Sequence, residues 1–135
     1  METLNFSTKG NTLKMLVSKL TTATIAPLYL FTRGDWKKNP DQCKEEILKL
    51  VQSGEQLIVR SSSKHEDTDQ TSNAGAYLSV PHVQSSKIGQ AIKDVFGSYN
   101  SVDKDDEVLV QPMLSDVVMS GVAFSHDIQT GAPYR

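Results

Sequence analysis

Apolar residues recur with helical spacing near the start of the chain. Four of them fall on one face of a helix: Leu13, Leu16, Val17 and Leu20. Their i, i+3, i+4, i+7 spacing is typical of an amphipathic helix. Asn11 or Thr12 is a suitable N-cap, because its side-chain oxygen can accept a backbone N–H. The pattern therefore predicts a first helix that begins close to these two residues.

A second helix is predicted from Pro40 and Asp41, since proline is favoured at the first helical position. Its apolar side is formed by Cys43, Ile47, Leu50 and Val51. Gly54 is the expected stop. Cys43 is interpreted as a buried helix residue rather than a nucleophile, because no nearby basic cluster would lower the pKa of its thiol.

A third helix is predicted after residue 84, with Ser85 or Ser86 as its cap and Gly97 as its end. Its core face is expected to contain Ile88, Ala91, Ile92, Val95 and Phe96. The acidic stretch 101–107 that follows is predicted to be a solvated turn.

Short apolar runs predict β-strands, since such runs lie between turn-forming residues. The predicted strands cover residues 28–31, 57–59, 76–80, 108–113 and 117–124. Pro112 indicates where its strand leaves the sheet, because proline cannot donate to a strand ladder. Residues 34–36 predict a turn in which Trp36 packs on the domain. Together with three main helices, these strands predict an α/β (α+β) fold with a mixed β-sheet.

Composition narrows the class of protein. The 135 residues suit a single domain, residues 1–135, with one modest core. The net charge of -2 gives no reason to expect nucleic acid or a membrane surface as partner. A single cysteine excludes an internal disulfide, and no signal pattern or membrane-spanning run is present in these residues. These features predict a soluble cytoplasmic domain.

Arg60 follows the predicted strand 57–59 directly, and three serines follow Arg60. A guanidinium group has five donors in a rigid fork that suits phosphate oxygens. Nearby hydroxyls and backbone N–H groups can supply further donors. The arrangement predicts a phosphate clamp on the rim of a sheet. A solvated β-hairpin with a long polar connection fits these residues equally well.

Lys9 lies just before the first predicted helix. Backbone donors and the helix dipole favour an anion at a helix N-terminus, so a lysine there can assist phosphate binding. A lysine at such a position is more often simply exposed.

One extended motif resembles a known family. The chain contains Val59-Arg60-Ser61-Ser62, then Glu66-Asp67, then Ser72 and Ala74-Gly75. Their spacing resembles the signature of the nucleotide-binding domain of phosphoenolpyruvate synthases and pyruvate phosphate dikinases, which rifampicin phosphotransferases and glucan water dikinases share. Further matches are Lys9-Gly10-Asn11-x-Leu13, Val110-Gln111-x-Met113, Ser120-Gly121-Val122-Ala123-Phe124 and Asp127-x-x-Thr130-Gly131.

The resemblance implies an ATP-grasp-like N-terminal subdomain and assigns roles to particular residues. Those expected at the ATP phosphates are Lys9, Arg60, Ser61, Ser62, Ala74 and Gly75. Those expected beside the adenine are Gln111, Pro112 and Met113. The matched residues correspond to the first half of the family's ATP-grasp domain. The remaining half, which is expected to bind Mg²⁺, and a separate phosphohistidine domain are the implied partners.

The resemblance further implies the ATP-binding portion of a dikinase that uses ATP and Mg²⁺, phosphorylates a histidine and releases AMP and phosphate. No catalytic residue or metal ligand is expected in these 135 residues, and alone they are expected to be inactive. None of His65, His82 and His126 is expected to carry phosphate or bind metal, because each lacks companion residues. Pyruvate is the default acceptor. Two alternatives are a related phosphotransferase acting on an amide such as glutamine in capsule biosynthesis, and a non-catalytic nucleotide-binding module.

Overall fold

The computed structural model describes residues 7–65, 67–68, 71–72 and 77–134. This part of the chain contains four α-helices: α1 (Lys9–Leu16), α2 (Arg33–Lys38), α3 (Pro40–Leu48) and α4 (Ile88–Gly97). Its strands are β1 (Tyr29–Thr32), β2 (Leu57–Ser62), β3 (Asp67–Thr68), β4 (Thr71–Ser72), β5 (Ser79–Val83) and β6 (Glu107–Pro112). The predicted combination of helices and sheet is confirmed at the level of an α+β arrangement.

Four strands form one sheet in the order β1-β6-β2-β5, and β3 pairs with β4 separately. Every pairing in the main sheet is antiparallel, so the expectation of a mixed sheet is wrong. The last strand, β6, lies between β1 and β2. It pairs Val110 with Tyr29 on one side and with Val59 on the other.

The hydrophobic core lies between one face of this sheet and helices α3 and α4. Alternate residues of β2 and β6 point into it, including Leu57, Val59, Val108 and Val110. All five apolar residues predicted for the core face of α4 are buried, which confirms that prediction. Trp36 packs against the core, as expected, but it lies in the short helix α2 rather than in a turn.

Helix α1 lies on the opposite face of the sheet. Its Gly10 amide bonds to Ser62 Oγ, and a Cβ atom on Gly10 would lie 2.3 Å from the Leu30 Cδ1 atom. Leu30 is paired with Leu109, which is buried but outside the core cluster. The sheet therefore separates α1 from α3 and α4.

Three helix ends differ from the predictions. Helix α4 begins at Ile88 without a side-chain cap, so neither Ser85 nor Ser86 caps it. Thr8, rather than Asn11 or Thr12, caps α1, and its hydroxyl accepts from the Asn11 amide at 3.3 Å. Asn11 lies inside the helix, and its side-chain Nδ2 atom donates to Thr8 and Glu107. Helix α3 begins at Pro40 as predicted but ends at Leu48, well before Gly54.

Strand β2 is longer than predicted and includes Arg60, Ser61 and Ser62. These residues stay in the sheet because their backbones continue to pair with β6. Strand β5 begins later than predicted and includes Pro81. Proline is tolerated there because β5 is an edge strand of the sheet.

Two predictions near the C-terminal side are wrong. Residues 117–124 form no strand, and Val118 and Met119 are 99% and 88% exposed. A run that is apolar at successive positions needs cover on both faces, and no described strand pairs with it. The stretch 101–107 is not solvated throughout, since Asp106 and Glu107 are buried.

Candidate functional site

Arg60 lies within β2 on the face of the sheet that carries α1. Its cross-strand partner is Leu109, and its side chain is half-buried. The Nη1 atom donates to the Oε1 atom of Gln111 at 3.1 Å. Gln111 is itself buried, and its Nε2 atom donates to Ala26 O at 3.3 Å. The amide of Gln111 thus holds one edge of the guanidinium group in a defined direction.

A cavity of about 480 Å³ opens beside this pair. Four residues singled out in the sequence line it: Arg60, Gln111, Pro112 and Met113. Much of the remaining wall is apolar, with contributions from Leu13, Ile25, Ile58, Leu114, Val117 and Met119. The cavity therefore combines one cationic group and one amide with an apolar wall, which is the usual make-up of a small-molecule site.

Lys9 is the first residue of α1 and lies on the same face of the sheet as Arg60. Because side chains alternate along a strand, Arg60 and Ser62 point to the same face. Ser62 Oγ accepts from the Gly10 amide at 2.8 Å, which places the start of α1 there. The Lys9 Nζ atom donates to Ser61 O at 3.3 Å. Lys9 is not among the residues that line the cavity.

Ser61 and Ser62 are buried, at 2% and 0% exposure. Both had been expected to face a phosphate. In this conformation the Ser62 hydroxyl instead accepts a hydrogen bond from α1, and the Ser62 amide donates to the Tyr99 hydroxyl at 3.1 Å. Ser62 therefore joins helix to sheet. Ala74 and Gly75, also expected at the phosphates, lie outside the described residues.

Met113 has a backbone amide that is already engaged. It donates to Gln56 O at 2.8 Å. Residues 111–113 are the ones expected beside the adenine, and this backbone donor is not available to the edge of a base. The Pro112 and Met113 side chains contribute apolar wall instead.

Cys43 and Tyr29 lie together on the core side of the sheet, with the Tyr29 hydroxyl 4.0 Å from the thiol sulfur. Burial, together with the neighbouring thiol, raises the pKa of Tyr29 to about 12. Burial also raises the pKa of Cys43. A thiol with a raised pKa is a poor nucleophile at neutral pH, which agrees with a packing role for Cys43.

No group of three or more His, Cys, Asp or Glu side chains within the described ranges is arranged to hold a metal ion. His126 pairs with its neighbour, since its Nδ1 atom lies 2.8 Å from Ser125 Oγ. Across the same ranges, no helix has the length and apolar character needed to cross a bilayer.

Two residues of this region, Tyr99 and Glu107, were missed by the sequence reasoning, and Asn11 was interpreted only as a possible helix cap and a motif residue. Glu107 accepts two hydrogen bonds from Asn11 Nδ2, and its carbonyl accepts from the Tyr99 hydroxyl. Glu107 is the last residue of the acidic stretch 101–107, so the sequence predicted a solvated carboxylate at this position. The apolar run immediately after it was the available signal, since the first residue of a central strand is often buried.

Comparison with known proteins adds no family. A scan against protein-family models finds no match, and neither does a search of curated proteins. The resemblance described above therefore rests on the motif residues themselves.

Proposed function

We propose that this chain is the ATP-binding portion of a phosphoenolpyruvate synthase-like dikinase. The observation that carries the proposal is the meeting of Arg60 with residues 111–113 at one cavity, on the face of the sheet where α1 begins. These residues are distant in sequence, and the motif resemblance assigned them to opposite ends of one nucleotide. A nucleotide site requires an apolar wall for the base and a cationic group for the phosphates, and this cavity has both.

The start of α1 supports an anion at the other end of the site. Lys9 occupies the first helical position, and the first turn contains no acidic residue. A cation there is unfavourable for the helix by about 0.3–1 kcal/mol, since it faces the positive end of the helix dipole. Residues that reduce local stability are often functional. A bound phosphate would reverse the sign of this interaction.

Arg60 is the residue we assign to the phosphates from the cavity side. Gln111 orients the Nη1 atom of Arg60. Because the guanidinium group is already held in one direction, it loses less conformational freedom when it binds an anion. Lys9 would approach from the helix side as a point charge. The Arg60 and Lys9 side chains would neutralise part of the charge on the ATP phosphates and would align these phosphate groups.

The adenine would lie against the apolar wall near Pro112 and Met113. The base would be held mainly by burial, because the Met113 amide already bonds to Gln56. The side chain of Gln111 is a polar contact at the boundary between base and phosphates. In the proposed enzyme, phosphoryl transfer to a histidine then takes place against a separate domain.

Mg²⁺, when bound to ATP, would neutralise charge on the transferring phosphoryl group. No group of three or more His, Cys, Asp or Glu side chains among the described residues is arranged to bind the ion. Pyruvate is the default acceptor in this proposal. A cytoplasmic location is proposed with the activity, since ATP-dependent metabolism takes place there.

The test is the dissociation constant for ATP of the 135-residue chain, measured by calorimetry at low salt. Arg60→Ala and Lys9→Ala should each weaken binding by about tenfold, the effect of losing one charged hydrogen bond. Lys14→Ala is the matched control, because it removes the same charge from the exposed side of the same helix. It should leave affinity nearly unchanged.

Four results would contradict the proposal or redirect it. Equal affinity in wild type and Arg60→Ala would remove Arg60 from the site. Absence of ATP binding would overturn the proposed function altogether. ATP consumption by the chain alone with Mg²⁺ and pyruvate, abolished by Arg60→Ala, would place catalytic groups within these residues. ATP binding by the native full-length protein without phosphotransfer would favour the binding-module alternative.

A further inference from the structure

Ser62 and Glu107 are direct cross-strand partners at the joined ends of β2 and β6. Each accepts hydrogen bonds from one residue of the first turn of α1. Ser62 Oγ accepts from the Gly10 amide at 2.8 Å. The two carboxylate oxygens of Glu107 accept from Asn11 Nδ2 at 3.1 and 2.9 Å. One pair of strand residues thus holds two consecutive helix residues, and Lys9 immediately precedes them.

Glu107 is fixed within the sheet by burial and by a hydrogen bond to its backbone. It is 7% exposed, and its carbonyl oxygen accepts from the Tyr99 hydroxyl, which in turn accepts from the Ser62 amide. Burying a carboxylate is costly unless hydrogen bonds compensate it. Strand stability alone would be served better by an apolar residue at this position. The Glu107 carboxylate therefore serves a purpose other than the stability of its strand.

We propose that Glu107 is a positioning residue: acting through Asn11, it fixes the first turn of α1 and with it the place of the Lys9 ammonium group. The role in nucleotide binding rests on the proposed function, because it requires Lys9 to contact phosphate. The placement of Lys9 itself does not depend on that function. With α1 held, Lys9 Nζ stays at Ser61 O, one residue along β2 from Arg60.

Glu107 also carries a negative charge on the face where an anion is proposed to bind. A purely electrostatic role would make every neutral substitution tighten ATP binding. A positioning role predicts opposite effects for two neutral variants. Glu107→Gln keeps an oxygen acceptor for Asn11 and should bind ATP as tightly as wild type or more tightly. Glu107→Ala loses the acceptor and should bind ATP about three- to tenfold more weakly, the range for one hydrogen bond.

The placement of Lys9 is measured without nucleotide by competitive acetylation and mass spectrometry. Lys14, exposed on the same helix, is the internal reference. Relative to Lys14, Lys9 should be acetylated about three- to tenfold faster in Glu107→Ala than in wild type. Asn11→Ala breaks the same contact from the exposed side and should give the same result if Glu107→Ala fails to fold. Glu107→Gln should behave like wild type, and so should Glu45→Ala, which removes an exposed carboxylate.

ATP affinity then tests whether the effect passes through Lys9. In a Lys9→Ala background, Glu107→Ala should cause no further loss, because there is no ammonium group left to position. An equal loss in both backgrounds would overturn the proposal. Unchanged acetylation of Lys9 in both Glu107→Ala and Asn11→Ala would also overturn it. If wild type binds no ATP, the proposed function fails while the acetylation rates still decide the positioning role.

Discussion

The guanidinium carbon of Arg33 lies 4.7 Å from the centre of the Phe96 ring, and its Nη2 atom donates to Phe96 O at 3.0 Å. The same guanidinium group lies 3.7 Å from the carboxylate of Asp106, and both side chains are almost fully buried. Arg33 begins α2, Phe96 lies near the end of α4, and Asp106 immediately precedes β6. One arginine therefore joins α2 to the end of α4 and to the residue that precedes β6.

Arg33→Ala should lower the free energy of unfolding by about 3–5 kcal/mol, because it leaves Asp106 buried without its cation. Arg33→Lys keeps the charge but loses the planar stacking on Phe96, so its loss should be smaller. Urea denaturation followed by circular dichroism measures both. If the lysine variant were as unstable as the alanine variant, the charge on residue 33 would contribute little.

Gly10→Ala tests the close approach of α1 to the sheet. The added Cβ would lie 2.3 Å from Leu30 Cδ1 and 3.0 Å from Ser62 Oγ. Overpacking typically costs about 1–3 kcal/mol, whereas alanine favours the helix by about 1 kcal/mol. We expect a net loss of about 1 kcal/mol in the free energy of unfolding.

Gly97→Ala is the control for this substitution, since nothing lies within 4 Å of a Cβ atom on Gly97. It should be neutral or slightly stabilising. Combining Gly10→Ala with Leu30→Ala should cost less than the sum of the two single changes, because the smaller side chain leaves room. Full additivity of the two would show that Leu30 does not limit the approach.

Stability should fall at alkaline pH because of Tyr29 and Cys43. Burial raises the pKa of Tyr29 to about 12 and also raises the pKa of Cys43. The folded state therefore keeps protons that the unfolded chain releases. This contribution is fully present below the unfolded pKa values and is lost as pH rises from about 8.5 towards the folded values.

Denaturant titrations between about pH 7 and about pH 11 measure this loss. Tyr29→Phe should make the profile flatter, because it removes one of the two ionisations. Cys43→Ala should flatten its lower part. A profile in Tyr29→Phe that matched wild type throughout would assign the alkaline loss to other groups.

Asp127 organises the turn before the chain ends. Its Oδ1 atom accepts from the amides of Gln129 and Thr130 and from the Thr130 hydroxyl. These bonds hold the pKa of Asp127 below its ordinary value. The stabilisation they give is therefore present above the unfolded pKa and is lost as pH falls through the lower, folded pKa.

The amide proton of Thr130 reports on this turn by NMR. The chemical shift of this proton should titrate at a pH below the ordinary aspartate pKa of about 3.9. Asp127→Asn keeps an oxygen acceptor and should preserve the turn without this titration, whereas Asp127→Ala should lose the turn. Titration of the Thr130 amide proton at or above the ordinary aspartate pKa of about 3.9 would contradict the assignment.

The parts of the fold that follow from local pattern were predictable. Helix α4 has five core residues in correct register, and Pro40 marks the start of α3 where the sequence placed it. Strand β2 was predicted too short because its last residues are polar. Ser62 is buried only because Gly10 and Tyr99, far away in sequence, supply its hydrogen-bond partners.

The candidate site was also predictable where a local motif determines it, and was missed where it depends on residues distant in sequence. Arg60 and residues 111–113 were chosen from a motif, and the structure brings them to one cavity. Glu107 was missed because its burial depends on Asn11, which lies in a different element. The run 117–124 was assigned to a strand by its composition, but a strand also needs a neighbour to pair with.

The position of β6 in the sheet has a consequence for how the chain folds during synthesis. β6 separates β1 from β2, yet it leaves the ribosome long after both of them. Until Glu107–Pro112 emerges, β1 has no partner in the sheet, and β2 can form only its hairpin with β5. The two earlier strands must remain about two strand spacings apart, roughly 10 Å, for the insertion to succeed. Folding of the sheet is therefore delayed until Glu107–Pro112 has emerged, and slow synthesis through residues 101–112 would prolong the exposure of its apolar edges.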